Sequence, residues 1–385
     1  MTDKEQLIDR YLCRIADNLD ISATMREKAE KSYRAVGEWL GDCDINSDVK
    51  IMPQGSFNLG TVIRPVTDAD EYDIDLVCLL KNAWHRSEDG IKEIVGNRLR
   101  EHQTYSSMLE PEGKRCWTLC YDEFHMDILP CVPKQMYYVE PDLTEIRLTH
   151  KCDDGTYVPK YSNPYKYHEW FEERMRVRLN EVRKVYAAKN QVEIDKVPLY
   201  KVKTPLQRAI QLLKRHRDIM YAALPEERKD NAPISIVITT LSARAYSNET
   251  NVYEALCNIV ENMPKFIEKS GNSFIIENPV LADENFAEKW SEKPEKAQEF
   301  FKWLESAKEA ILAAPLNAQG IHRVSESFER SFGRNIVRRS IVEDGNAIKN
   351  ARNNKSLYID GLTGGLKTSA TQTTKKVGGH TFFGE

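Results

Sequence analysis

The 385-residue chain has no apolar run approaching the length of a membrane span, and its first residues, Met-Thr-Asp-Lys-Glu-Gln, lack the apolar core of a signal peptide. Bilayer insertion and export are therefore not expected, and the cytoplasm is the expected location. Cysteine is sparse: the eight present are scattered and include no Cys-x-x-Cys pair. That excludes a disulfide framework and suggests buried thiols in a reducing compartment. Cys116, Cys120, His125 and Cys131 crowd one stretch, but without such a pair no zinc site is expected there. No excess of positive charge exists either. A formal net charge of −4 gives no global field for nucleic acid, and no obligate nucleic-acid ligand is indicated. Internal repeats are missing too. A hydrophobic content of 41% with 30% charged residues fits an ordinary globular protein, long enough for two domains or two packed lobes.

What is present centres on Gln54-Gly55-Ser56, followed by Asp73-Ile74-Asp75 and by Asp127 in His-Met-Asp-Ile-Leu-Pro. A Gly-Ser turn can hold a phosphate through backbone N–H groups and a hydroxyl, and carboxylates downstream can hold the magnesium that accompanies it. The run Asp73-Ile-Asp-Leu-Val-Cys-Leu-Leu80 is patterned as a buried strand. Alternation puts Asp73 and Asp75 on one face, with Ile74 and Leu76 on the other. Two like charges roughly 4 Å apart repel by about 4 kcal/mol at an effective dielectric near 20, which a cation between them would relieve. Phe124 to Leu129 is patterned as a second strand, which Pro130 and Pro133 are expected to end. Its Asp127 can join the same cluster from a neighbouring position. Asp68, Asp70 and Glu71 are expected to be a solvated loop. An Asp-x-Asp pair alone is usually a solvated strand end; the three elements in order, each beside an apolar strand, argue for a shared metal–triphosphate site.

Gly55-Ser56, Asp73-x-Asp75 and Asp127 resemble the polymerase-beta-like nucleotidyltransferase superfamily. The longer string from Pro53-Gln-Gly-Ser-Phe-Asn-Leu-Gly-Thr61 through Arg64-Pro65 to Glu71-Tyr-Asp-Ile-Asp75 is similar to one branch, the bacterial cGAS/DncV-like nucleotidyltransferases (CD-NTases), which make cyclic oligonucleotide signals in the anti-phage systems termed CBASS. The sixteen residues between Ser56 and Asp73 exceed the minimal superfamily spacing, as expected of a loop insertion from Arg64 to Tyr72. The resemblance covers roughly residues 50 to 310. It implies an α+β fold: a nucleotidyltransferase sheet lobe braced by N-terminal helices, and a mostly helical second lobe over the nucleotide. It also implies that Lys214, in Leu-Leu-Lys-Arg-His, and Ser235, in Ala-Pro-Ile-Ser-Ile, bind donor phosphates. Asn278-Pro279 through Phe286 is similar to a family element near the donor pocket, without an assigned contact.

The implied chemistry joins ATP and other NTPs without a template, releases pyrophosphate, and closes a cyclic di- or trinucleotide. Asp73 and Asp75 would hold the Mg2+ that carries the donor triphosphate, with Mn2+ as a substitute. Asp127 would help hold a second ion that acidifies the acceptor hydroxyl, and Gln54, Gly55, Ser56, Lys214 and Ser235 would bind the nucleotide. Two alternatives stay open: transfer to RNA, protein or a small molecule, and a non-catalytic nucleotide sensor.

Apolar spacing predicts helices over Asp3–Leu19 and from Ser22 to Gly41, both bracing the back of a sheet that runs from Val49 to about Val139. A helix from Ile91 to Glu101 falls between the aspartate strands. His168 to Lys189 is expected as a charged helix packing through Trp170, Phe171, Met175 and Val177. The many basic residues between Arg174 and Arg217 are expected to be mostly a solvated face. Thr204 and Pro205 are expected to start a helix to Ala222, followed by helices over 235–246, 253–265 and 297–314. The expected division is 1–160 for the catalytic lobe, 161–204 for a connecting helix and loop, 205–351 for the helical lobe and 352–385 for a mobile Gly/Thr/Ser/Lys tail. The resemblance also implies activator or accessory proteins as partners and a ubiquitin-like conjugation enzyme acting at Gly384 or Glu385, with an ordinary disordered end as the alternative reading of that tail.

Overall fold

The computed structural model describes residues 1–42, 48–66, 71–135, 144–197, 199–271, 273–360, 366–368, 370 and 374–378. Asp68 and Asp70, and the terminal Gly384 and Glu385, lie outside the described residues. Two helices open the chain, α1 (Asp3–Leu19) and α2 (Ala23–Gly41). Strand β1 (Val49–Gln54) leads into the short helix α3 (Gly55–Leu59), then β2 (Tyr72–Leu80), α4 (Glu88–Glu101), α5 (Gln103–Met108), β3 (Trp117–Cys120), β4 (Phe124–Pro133), β5 (Ile146–Lys151) and β6 (Tyr157–Ser162). Among the described residues these strands form one mixed sheet of order β1-β2-β4-β5-β6, with β3 also pairing β4.

Thr2 caps α1 with Glu5 in a reciprocal capping box, and Ser22 caps α2 through the Met25 N–H. The bracing role expected of both helices is carried by α2, whose Ala29, Val36 and Leu40 share a core with Ile74, Leu76, Met126 and Ile128 of the sheet. The stripe Ile8, Leu12, Ile15 and Leu19 of α1 instead enters the core of the helical lobe. Periodicity identifies an apolar stripe; it does not say which neighbour the stripe meets.

Strand β4 does not stop at Pro130. It pairs β3 as far as Ile128 and β5 from Cys131 onward, so Pro130 sits in the gap between those two partners. No antiparallel neighbour there needs the N–H that proline lacks.

Helix α6 (Pro164–Asn190) starts at an Asn163 cap with proline in its first turn and ends at Gln191 in the left-handed region. Phe171 and Met175 are buried as expected; Val177 is 53% exposed, and Tyr167, Leu179 and Ala187 complete the packing face instead. Of its basic residues, Arg174 donates to the carbonyls of Ala243 and Tyr246 at 2.7 and 2.6 Å, and Arg178 to that of Asn248 at 2.7 Å. They bind α6 to the second lobe. Arg176 pairs only with exposed Glu173.

The second lobe holds α7 (Pro205–Ala222), α8 (Glu226–Lys229), α9 (Ser235–Ala245), α10 (Val252–Asn262), α11 (Glu288–Glu292), α12 (Pro294–Ala307), α13 (Ala314–Asn317), α14 (Ile321–Phe332) and α15 (Arg334–Asn353). The expected Thr204 cap is present, reciprocated by Gln207. The helix expected over 297–314 is α12 followed by a π-helical segment, Lys308–Ala313, and α13. Within the expected tail, Tyr358–Asp360 pairs with both Leu366–Lys367 and Thr374–Lys376. Composition, the basis for expecting a wholly mobile segment, carries no information on such pairing.

Gly96 of α4 packs against the indole of Trp117, whose Nε1 donates to the Lys92 carbonyl at 2.9 Å, and a Cβ on Gly96 would overlap that ring. On an exposed helix Gly→Ala gains about 1 kcal/mol. Here overpacking dominates, and Gly96→Ala is expected to lower the urea-unfolding free energy by about 1–3 kcal/mol.

Candidate active site

The three aspartates are brought together by strand pairing. β2 and β4 run parallel with Asp75 opposite Asp127 and Asp73 opposite His125. Alternation then sends Asp73, Asp75, His125 and Asp127 to one face of the sheet, while Ile74, Leu76, Met126 and Ile128 fill the core on the other. Thr118 of β3, opposite Asp127, donates its hydroxyl to Asp127 Oδ1 at 2.5 Å and fixes that carboxylate.

β1 runs antiparallel on the other side of β2, with Gln54 opposite Asp75. The chain then turns at Gly55, whose φ of +60° is in the left-handed region that glycine tolerates best. A Cβ at Gly55 would collide with the Asp75 carboxylate. Glycine is thus required both by backbone geometry and by close approach. Ser56 follows, half-buried, and its carbonyl accepts from Thr61 N at 2.9 Å.

Burial, and then the neighbouring carboxylates, shift the acidities of Asp75 and Asp73. Burial raises the Asp75 carboxyl to about 6, with the charges of Asp127 and Asp73 adding to the rise and Lys214 opposing it. Asp73 is also raised, by desolvation and then by Asp127, against the pull of His125, Lys214 and Arg217.

The positive groups come from α7. Lys214 is buried, and its Nζ donates to the Thr61 carbonyl at 3.1 Å. Burial, with Arg217 nearby, lowers its ammonium to about 8; Asp218, Asp75 and Asp73 partly offset this. Three other side chains serve the adjacent carbonyls: Lys203 donates to Gly60 at 2.7 Å, Gln207 to Leu59 at 3.0 Å and Gln211 to Val62 at 2.8 Å. Four consecutive carbonyls behind the Gly-Ser turn are therefore satisfied from α7 and from Lys203 just before it.

Ser235 opens α9, after Ile234 in the cap position, so its backbone N–H is among the unpaired donors of that helix end. Its hydroxyl accepts from Arg217 Nη1 at 2.9 Å. Sequence reading missed Arg217, although it stands one helical turn after Lys214, the spacing that puts two residues on one face. The carbonyl-binding Gln207 and Gln211 were missed as well; polar residues on an otherwise buried helix were the available signal. Asn278 donates to Glu284 at 2.7 Å, and Ser162 of β6 donates to the same carboxylate at 3.5 Å.

An oxygen-only set of carboxylates on one sheet face suits a hard divalent cation. Asp73, Asp75 and Asp127 are the residues that would hold it.

Residues 7–174 match the family model described as the Second Messenger Oligonucleotide or Dinucleotide Synthetase domain. A c-di-GMP synthase of Roseivirga ehrenbergii is 29% identical over 391 residues, spanning 99% of this chain and 98% of that protein. The cyclic dinucleotide synthase CdnG of Bradyrhizobium diazoefficiens is 23% identical over 354 residues, with 87% and 82% covered. The solved structure of that organism's CD-NTase CdnG in complex with GTP aligns at a TM-score of 0.66 and 20% identity, over 88% of this chain and 99% of that one. The shared fold is the expected α+β arrangement.

Because the raised Asp75 carboxyl favours the protonated form in the folded state, its contribution to stability is full below its unfolded value near 3.8 and is lost as pH rises through about 6. At neutral pH without divalent ions, Asp75→Asn is expected to stabilise the protein by on the order of 1–2 kcal/mol, discounted for partial exposure. Adding Mg2+ should raise the melting temperature of the wild type and not that of the variant, as read by differential scanning fluorimetry.

Proposed function

We propose that the chain is one of the bacterial cGAS/DncV-like nucleotidyltransferases and that it joins two ribonucleoside triphosphates, GTP foremost, into a cyclic dinucleotide for anti-phage signalling. Guanine is favoured because the relative that spans nearly the whole chain is named a c-di-GMP synthase. The observation that carries the reading is the alignment of Asp75 with Asp127 on one sheet face, with Gly55 against the same carboxylate.

Transfer of a nucleotidyl group needs positioning and charge neutralisation more than a covalent nucleophile. In the proposed assignment Asp73 and Asp75 serve the donor side, and Asp127, oriented by Thr118, serves the acceptor hydroxyl and can take its proton. Gln54, Gly55 and Ser56 cradle the donor phosphates, with Lys214 and Ser235 on their far side. Arg217 extends that positive wall. When bound, a divalent ion, Mg2+ with Mn2+ as substitute, neutralises triphosphate charge and acidifies the acceptor hydroxyl. Pyrophosphate leaves, the linear intermediate turns, and a second transfer closes the ring. Activator or accessory proteins belong to the same proposal, as does conjugation at Gly384 or Glu385.

Incubation with Mg2+ and labelled GTP, alone and with the other NTPs, should yield a product that survives phosphatase, and Asp73→Asn or Asp75→Asn should abolish it. Label on co-purified RNA or protein in place of that product would move the reading to a different acceptor. For the free enzyme, kcat/KM should fall on the acid side as Asp75 gains its proton through about 6, and on the alkaline side as Lys214 loses its own through about 8. Lys214→Arg should remove the alkaline limb. Arg217→Gln should raise KM for the nucleotide by about tenfold, the worth of one charge-assisted hydrogen bond, with a smaller change in kcat.

A further inference from the structure

A second group of metal-ligating atoms converges on the rim of the catalytic face. Cys120 and His125 stand directly opposite each other in the antiparallel β3–β4 pairing, so both side chains leave the sheet on the same side. Glu110 reaches them because Leu109 bridges Leu119 and Glu110 N donates to the Thr118 carbonyl at 2.9 Å. One donor atom from each of Glu110, Cys120 and His125 lies within 4.8 Å of the others. We propose that these three residues form a site for a transition-metal dication of the Zn2+ class, separate from the aspartate site and independent of the synthase reading.

The donor chemistry separates the two sites. The aspartates offer only carboxylate oxygens, whereas this group offers a thiol sulfur, an imidazole nitrogen and a carboxylate oxygen, the mixed set that borderline metals take in tetrahedral coordination. Glu71, whose Oε2 lies 2.6 Å from His125 Nε2, is the partner that orients the ring. The Cys120 thiol already hydrogen-bonds Glu110 Oε1 at 3.1 Å. Burial first, then the hydrogen bond and charge of Glu110 and the charges of Glu71 and Asp127, push that thiol up to about 11. On binding, the Cys120 S–H releases its proton to solvent as the sulfur–metal bond forms, and His125 binds as neutral imidazole. The missing Cys-x-x-Cys pair is no obstacle: strand pairing supplies the juxtaposition that such a pair supplies in a loop. Cys116 and Cys131 play no part, since Cys116 turns to Thr118 and Cys131 is buried against the Cys78 carbonyl.

The test is optical and needs no turnover. The full-length protein is titrated with Co2+ in excess Mg2+, under a reductant that does not bind metals. A thiolate-to-cobalt charge-transfer band should grow in the near ultraviolet and saturate at one equivalent. It should vanish in Cys120→Ser, weaken in Glu110→Gln and persist in Asp75→Asn. Absence of the band from the folded wild type, its survival in Cys120→Ser, or its loss in Asp75→Asn would each overturn the assignment.

Discussion

The parallel alignment of β2 with β4 is the constraint on which the rest of the molecule's chemistry depends. It places Asp75 beside Asp127 although that costs repulsion between carboxylates. What holds it is the other face of the same strands, where Ile74, Leu76, Met126 and Ile128 are wholly buried. Each such side chain contributes about 1.5–3 kcal/mol on burial, so the four together outweigh a repulsion of about 4 kcal/mol. A slip by one residue would drive Asp127 into the core and expose Met126 and Ile128, which the period of two forbids. The fold thus stores electrostatic strain at one point, which a divalent cation bound there would relieve.

The same logic of forced proximity extends to the lobe interface. The segment behind the Gly-Ser turn leaves four carbonyls in a row without strand or helix partners, and Lys203 of the connecting loop with Gln207, Gln211 and Lys214 of α7 meet them one by one. Lys214 is therefore placed by backbone hydrogen bonding before any ligand is considered. Its buried ammonium also lies in the field of Asp73 and Asp75. Arg208 adds ion pairs to Asp17 and Asp20 at the end of α1, so that helix and the Gly-Ser segment are both tied to α7.

Much of this was legible in the sequence where the signal was local. The caps at Thr2, Ser22 and Thr204, the stripe of α1 and the alternation around Asp73 and Asp75 each depend on residues within a turn or a strand. The aspartate trio was legible because motif order and alternation both pointed to one face. What sequence could not carry was the choice of partner. The stripe of α1 met the helical lobe instead of the sheet; Pro130 was tolerated because of where β3 ends and β5 begins; Arg217 gained its role from Ser235 across a loop. Cys120 and His125 face each other only because of their strand register. Each of these is fixed by long-range pairing.

The central claim, that three distant carboxylates meet to bind divalent ions, is tested most directly by electron paramagnetic resonance of Mn2+ bound with a non-hydrolysable GTP analogue. The account predicts a spin-coupled pair of ions, at the separation of roughly 4 Å typical of two-metal sites, and loss of that coupling in Asp127→Asn. A single uncoupled ion in the wild type, or coupling that survives the loss of Asp127, would contradict it.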